Sequence, residues 1–230
     1  MQSKEFYETK LYPMQDKILN AIDKLSLPFY LTGGTALSRG YLNHRYSDDL
    51  DFFVNDDPNF PLCAKKALDA ISNEGFSINK ENIISSPNFL RIVVQSSDKT
   101  KLKIDFVNDL PYRNGVPCTR ENLPGKVDSL ENILTNKLSA LIGRNEIKDT
   151  VDIWAICHFS AFSWNDVIEK ALHKEAMVES GLLSLMLSNA SQEDFENISW
   201  IKKPSWEDFL RDLETISSDI LSGNTNSLAP

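Results

Sequence analysis

The chain has 230 residues, of which 41% are hydrophobic and 25% charged, and these values are typical of a globular protein with one large domain or two small ones. The formal net charge of −9 argues against a broad, non-specific nucleic-acid-binding surface, although a local basic groove stays compatible with it. The sequence contains no apolar run of about 20 residues and no signal-peptide core, so we expect a cytoplasmic protein without a membrane partner. The cysteines are scattered along the chain, which indicates free thiols. The histidines are equally scattered, so no zinc-binding spacing is present.

The first half of the chain combines helices with short strands. A helical spacing of apolar residues runs from Phe6 to Leu25. Further helices are predicted over 35–42, entered from a Gly-Gly turn, and over 61–72. Strands are predicted at 29–32, 50–54, 89–95 and 101–107, and the last two read as a hairpin.

The second half of the chain is predicted to be mainly helical. Helices are expected over 130–142 with a cap at Asp128 or Ser129, over 149–159, from Ser163 to Lys174, and over 206–220. Because strands cluster in the first half and helices in the second, the sequence predicts an α+β fold with a C-terminal helical region. We expect a first domain at 1–128, a helical domain at 129–222 and a flexible tail at 223–230.

One candidate site lies at the turn Gly33-Gly34-Thr35, between a short strand and a helix. Glycine lets the backbone approach a ligand closely, and the helix start offers unpaired N–H groups. Such a turn can hold the phosphates of a nucleotide. Gly-Gly turns before helices are common, so the turn alone is weak evidence.

Three aspartates form the stronger signal. Asp49 and Asp51 are two residues apart at the start of an apolar strand and therefore face the same side, whereas Asp105 lies inside a second apolar strand. The structural alternatives are a solvated strand edge for the first two and a Lys or Arg partner for Asp105. If the strands are neighbours, however, two carboxylates about 4 Å apart repel by roughly 4 kcal/mol at an effective dielectric of 20. We expect Mg²⁺ or Mn²⁺, and not a side-chain cation, to compensate this repulsion.

These residues stand in an order that resembles a known family. The resemblance covers roughly residues 29–155, and its motifs are Gly33 to Leu37, Gly40 to Leu42, His44-Arg45, Ser47, Asp49 to Phe53, Lys103 to Val107, Lys137 to Ala140, Arg144 and Lys148-Asp149 with Asp152. This pattern is similar to that of the nucleotidyltransferase-fold toxins of abortive-infection toxin–antitoxin systems, the AbiE type.

The resemblance implies a polymerase-β-like nucleotidyltransferase core, a mixed sheet with flanking helices, within residues 1–128. It implies transfer of a nucleoside monophosphate from an NTP with release of pyrophosphate, and a cognate antitoxin as a possible partner. Among the acceptors proposed for the family is the 3′ end of tRNA. The site residues that it implies are Asp49, Asp51 and Asp105 as metal ligands, Lys137 and Asp152 as further catalytic residues, and Gly33, Gly34, Thr35, Lys137 and Arg144 as nucleotide-binding residues.

Several alternatives stay open at this level. Lys137 also fits a surface position on an amphipathic helix, and Arg144 could pair structurally with Asp149 or Asp152. Lys101 and Lys103 share the parity of Asp105, so they could contact an acceptor phosphate or be solvated charges near a hairpin end. The acceptor could be a protein hydroxyl instead of RNA, or the chain could bind an NTP or a partner without catalysis.

Overall fold

The computed structural model describes residues 2–230, with Lys80 described by its backbone alone. The chain forms two compact units. One contains residues 2–40 and 46–128, and we call it the sheet unit; the other contains residues 41–45 and 129–230, and we call it the helical unit. Within residues 2–230, no helix is both long enough and apolar enough to cross a membrane.

The sheet unit begins with a helical segment that matches the predicted apolar spacing but is not uniform. It consists of α1 (Lys4–Phe6), a π-helical turn (Tyr7–Leu11) and α2 (Tyr12–Asp23). Pro13 lies in the first turn of α2, where a missing backbone N–H is tolerated. The apolar face, including Ile18 and Ile22, is buried as the spacing predicts.

One mixed sheet forms the centre of this unit. Within residues 2–230 it contains β1 (Tyr30–Thr32), β2 (Leu50–Asn55), β3 (Ser77–Ile78), β4 (Ile84–Ser86), β5 (Phe89–Gln95), β6 (Lys101–Asp109), β7 (Cys118–Arg120) and β8 (Leu123–Val127). The spatial order is β3-β5-β6-β2-β1-β8-β7, with β4 beside β5. The pairs β2–β6 and β1–β8 are parallel and the others antiparallel. The predicted β5–β6 hairpin is confirmed, whereas β3, β4, β7 and β8 were not predicted because they are short and lack a clear apolar alternation.

Side chains alternate across the central strands as expected for a half-buried sheet. Leu50 and Phe52 of β2 are buried, and Phe52 stacks on Phe106 of β6 with ring centroids 5.2 Å apart. The other elements of this unit are α3 (Gly33–Leu37), a π-helical segment (Ser38–Leu42), α4 (Phe60–Asn73) and a 3₁₀ turn (Lys80–Asn82). The buried face of β2 leaves its opposite face for the two aspartates.

The helical unit contains α5 (Leu130–Arg144), α6 (Ile147–Cys157), α7 (Trp164–Leu172), α8 (Ser180–Ser188), α9 (Gln192–Glu196) and α10 (Trp206–Ser222). Of the two caps expected for α5, Ser129 is the one present, and Ser163 caps α7 at the predicted start of that helix; each accepts a backbone N–H of the first turn. We did not predict α8, which is apolar on most sides, or α9, which has only five residues. The architecture is the α+β fold with C-terminal helices that the sequence predicted.

The C-terminal residues, expected to form a flexible tail, are held against the helices of this unit. Asn226 is buried, and its side-chain amide donates to the carbonyl oxygens of Cys157 and Ser160 at 2.7 and 2.9 Å. The backbone N–H of Ser227 donates to Asp219 at 2.8 Å. The polar composition of 223–230 suggested fraying, but these side-chain hydrogen bonds anchor the segment.

Candidate active site

The glycine turn lies where β1 passes directly into α3. Gly33 adopts a φ of +69°, a conformation that strains any residue with a side chain. A Cβ at this position would also collide with the carboxylate of Asp51. Thr32, just before the turn, is fixed by a 2.7 Å hydrogen bond from its hydroxyl to Asp128. The turn therefore needs glycine at position 33, because the backbone passes close to a carboxylate.

Thr35 has a different environment from the one expected of a phosphate ligand. Its side chain is fully buried, and its hydroxyl donates to the carbonyl oxygen of Asp49 at 2.5 Å. In this structure Thr35 therefore links the glycine turn to the backbone of Asp49.

The loop that leads to Asp49 is held from the other side by the N-terminal helix. The amide of Gln15, which is buried, donates to the carbonyl oxygens of Ser47 and Asp48 at 3.1 and 3.3 Å. The hydroxyl of Tyr7 donates to the Asp48 carboxylate at 2.8 Å. Hydrogen bonds within the sheet unit thus hold Ser47, Asp48 and Asp49, the residues just before β2.

The strands that carry the three aspartates are neighbours. In the parallel pair β2–β6, Asp51 lies directly opposite Asp105, and on its other side Asp51 lies opposite Thr32 of β1. Asp49 comes two residues before Asp51. The condition on which the clustering of carboxylates depended is therefore met, and the cluster lies beside the glycine turn.

Two cations compensate this cluster in the structure. The Lys103 ammonium lies 2.6 Å from Asp49, and the Arg91 guanidinium binds both carboxylate oxygens of Asp105 at 2.7 Å. The expectation that no side-chain cation compensates the carboxylates is therefore wrong, and the alternative of a Lys or Arg partner for Asp105 is the one present. Antiparallel pairing of β5 with β6 places Arg91 opposite Asp105, although the two residues are well separated along the chain.

The carboxylates hold both cations in their charged forms. The hydrogen bonds that Arg91 donates to Asp105 raise the pKa of Arg91. Burial lowers the pKa of Lys103, but the hydrogen bond and charge of Asp49 and the charges of Asp105 and Asp51 outweigh it, so this pKa is raised overall. Lys103 therefore stays charged at neutral pH and is attracted by all three carboxylates.

The donor set of this cluster fits a hard divalent ion. Three carboxylates supply oxygen ligands only, which is the preference of Mg²⁺ and Mn²⁺. In the described residues no three His, Cys, Asp or Glu side chains are already arranged around a common point for an ion. The Lys103 ammonium contacts Asp49 and would have to move away for this carboxylate to bind a metal ion. Metal binding would thus require a rearrangement of side chains and not of strands.

The remaining predicted residues lie in the helical unit, in a buried ionic network around Asp152. Its carboxylate accepts from Arg45 at 2.7 and 2.8 Å, contacts His44 Nε2 at 2.8 Å and lies 2.5 Å from the Lys137 ammonium. Burial raises the pKa of Asp152, but the charges of Arg45 and Lys137 outweigh it and hold the pKa well below its usual value. Burial lowers the pKa of His44, so its ring is neutral at pH 7.

Asp149 extends this network. It accepts from Lys137 at 2.8 Å and from Arg144 at 2.8 and 2.9 Å, so the structural pairing considered for Arg144 is present. Lys137 is buried between two carboxylates, which excludes a surface position, and a direct phosphate contact would require it to leave both. Arg144 is half exposed and remains open to solvent.

The structure thus divides the predicted residues into two sets. The sheet unit contains Gly33, Gly34, Thr35, Asp49, Asp51 and Asp105, and the helical unit contains Lys137, Arg144 and Asp152. We did not assign roles to Arg91, His44 or Arg45. A signal for Arg91 existed in the sequence, because a hairpin that closes with Gln95 opposite Lys101 necessarily places Arg91 opposite Asp105.

Comparison with known proteins identifies the same family as the motifs. Residues 17–222 match the family described as nucleotidyl transferase AbiEii toxin, type IV TA system. An uncharacterised protein of Aquifex aeolicus is 28% identical over 211 residues, which cover 86% of this chain and 92% of that protein.

Two solved structures share the fold. The nucleotidyltransferase toxin MenT4 of Mycobacterium tuberculosis superposes with a TM-score of 0.64 at 13% identity, covering 95% of this chain and 86% of that one. JHP933 of Helicobacter pylori gives 0.60 at 18% identity, covering 96% and 94%. Since the family match spans most of the chain, this protein is a nucleotidyltransferase that belongs to the AbiEii toxin family of type IV toxin–antitoxin systems.

Proposed function

We propose that the protein transfers a nucleoside monophosphate from an NTP to the 3′ hydroxyl of tRNA, using Mg²⁺ or Mn²⁺ held by Asp49, Asp51 and Asp105. The observation that carries this proposal is the register of the parallel strands, in which Asp51 lies opposite Asp105 and next to the Gly33 turn. Divalent ions held by these carboxylates would supply positive charge that stabilises the in-line displacement in which the acceptor hydroxyl replaces pyrophosphate at the α-phosphate.

The chain's own residues position the two reactants. The backbone N–H groups at Gly33 and Gly34 bind the phosphates, because neither glycine has a side chain to block their approach. Gly33 also lies against Asp51, so the phosphates are bound beside a proposed metal ligand. Thr35 keeps Asp49 in place, because its hydroxyl donates to the backbone carbonyl oxygen of Asp49. Asp105 accepts the proton of the acceptor hydroxyl at a carboxylate oxygen, since its bidentate bond to Arg91 leaves further lone pairs on both oxygens.

Lys137 and Asp152 enter the proposal as positioning residues. Asp152, which is paired with Lys137, holds His44 and Arg45 in the stretch of chain between the glycine turn and the aspartate strand. Arg144 is the member of the network with an exposed guanidinium, so it keeps the role of a nucleotide-phosphate contact.

The proposed acceptor is the 3′ hydroxyl of an RNA. A ribose 3′ hydroxyl satisfies the requirement for a nucleophile placed in line with the α-phosphate. Lys101 is exposed two residues before Lys103 and can bind a phosphate that precedes the acceptor nucleotide. The low density of Lys and Arg favours recognition of a folded RNA end by shape over extended backbone binding.

The test is to incubate the protein with Mg²⁺ or Mn²⁺, each labelled NTP, and either intact tRNA or tRNA whose 3′ hydroxyl has been oxidised. We expect label only in intact tRNA, none with Asp51→Asn, and wild-type labelling with Asp69→Asn, a matched change at an exposed position of α4. Equal labelling of both tRNAs, or of a co-purifying protein, would contradict the tRNA assignment. Full activity of Asp51→Asn would contradict the metal assignment.

A further inference from the structure

The two ion pairs of the carboxylate cluster differ in strength. Arg91 binds Asp105 through two parallel hydrogen bonds, and the Asp105 side chain is only 9% exposed. Lys103 contacts a single oxygen of Asp49, and both side chains are more than a third exposed, at 36% and 39%. The two cations are about equally exposed, so the difference lies in the carboxylates and in the geometry. The bidentate pair on the buried Asp105 resists exchange, whereas the monodentate pair on the partly exposed Asp49 can open readily.

The charges of the cluster explain why this difference matters. The cations Arg91 and Lys103 each pair with one carboxylate of the cluster. A divalent ion that enters without nucleotide meets the Lys103 ammonium at Asp49, the carboxylate it needs, and the two positive charges repel. An NTP adds about four negative charges, so in its presence the ammonium acquires a second anionic partner next to Asp49.

We propose that Lys103 makes metal loading dependent on nucleotide, occupying Asp49 in competition with the divalent ion when no NTP is present and turning to the triphosphate when it is. This inference rests on the proposed nucleotidyltransferase site and assigns Lys103 a regulatory contact within it. Lys103 fits the role because an ammonium on a flexible stem can change partner without a change in the strand, whereas the Arg91 fork is fixed in two bonds.

The effect of Lys103 on the affinity for the divalent ion is therefore opposite with and without nucleotide. Without nucleotide, Lys103 weakens ion binding, since like charges repel. With nucleotide, it strengthens binding of the ion and triphosphate together, since it neutralises the phosphates. The coupling between metal and NTP should therefore be positive in the wild-type protein and reduced when the charge at position 103 is removed.

The experiment measures Mn²⁺ binding by electron paramagnetic resonance, with and without a mixture of NTP analogues whose α–β bridging oxygen is replaced by a methylene group. We expect Lys103→Met to bind Mn²⁺ about tenfold more tightly than wild type without nucleotide, and to lose at least about fivefold of the coupling to nucleotide, the lower end of typical coupling factors. Lys103→Arg retains the charge, so without nucleotide it should bind Mn²⁺ no more tightly than the wild type does. Lys65→Met, the same change at an exposed position of α4, should match wild type in both conditions.

The outcomes separate this inference from the proposed function. If the wild-type protein binds Mn²⁺ with nucleotide but Lys103→Met shows unchanged or weaker affinity without nucleotide, the role of Lys103 is overturned while the site stands. If wild type binds no Mn²⁺ in either condition, the site itself is overturned together with the inference. Melting curves of each variant establish that the proteins compared are folded.

Discussion

Replacing Asp152 with Asn should destabilise the protein strongly, because this carboxylate is the centre of a buried network. It is fully buried, and it compensates Arg45 through two hydrogen bonds and Lys137 through one contact of 2.5 Å. An asparagine of the same shape removes the charge and leaves both cations buried without their common partner. Removing one partner of a buried ion pair costs about 3–5 kcal/mol.

That cost is large enough to measure by thermal unfolding. At about 2–4 °C per kcal/mol for a chain of this size, the melting temperature should fall by about 10 °C. The matched control is Glu196→Gln in the same unit, which removes a carboxylate paired with Lys203 at a position where both side chains are largely exposed. This control should shift the melting temperature by less than about 3 °C.

A double variant tests the physical reason. Lys137→Met combined with Asp152→Asn removes one buried cation together with the anion, so it should cost less than the sum of the two single changes. An Asp152→Asn protein that melts within a few degrees of wild type would refute the network as a source of stability. Additive costs in the double variant would refute the direct coupling of Lys137 to Asp152.

Three further changes test other parts of the structure. Gly33→Ala should abolish transfer and cost about 1–3 kcal/mol, measured by denaturant unfolding, because of the φ of +69° and the collision with Asp51; a protein of unchanged stability would contradict the strained turn. Mn²⁺ with NTP should raise the wild-type melting temperature by mass action, and Asp49→Asn/Asp51→Asn should show no rise; a rise in that variant would place the ion elsewhere. Because burial lowers the pKa of His44, the unfolded chain takes up a proton below about pH 6.5 and the folded chain takes it up only at lower pH, so stability increases with pH as pH approaches about 6.5 from below. His44→Gln should flatten this dependence just below about pH 6.5, and an unchanged slope would place its origin elsewhere.

The sequence determined the features that depend on local periodicity. Alternation along β2 placed Leu50 and Phe52 in the core and the two aspartates on the opposite face, and the structure has the same arrangement. The β5–β6 hairpin, the serine caps of α5 and α7 and the break at Gly33 were predicted for the same reason. These signals lie within a few residues of the element that they define, so a single sequence carries them.

The tertiary structure decided which strands are neighbours and which charges meet. Whether β2 pairs with β6 depends on packing over more than 50 residues of chain, and that pairing alone places Asp51 opposite Asp105. The contact of Asp152 with Arg45 likewise joins positions 107 residues apart. Periodicity shows which way a side chain faces, whereas the partner it faces is set by burial and charge compensation summed over the whole fold.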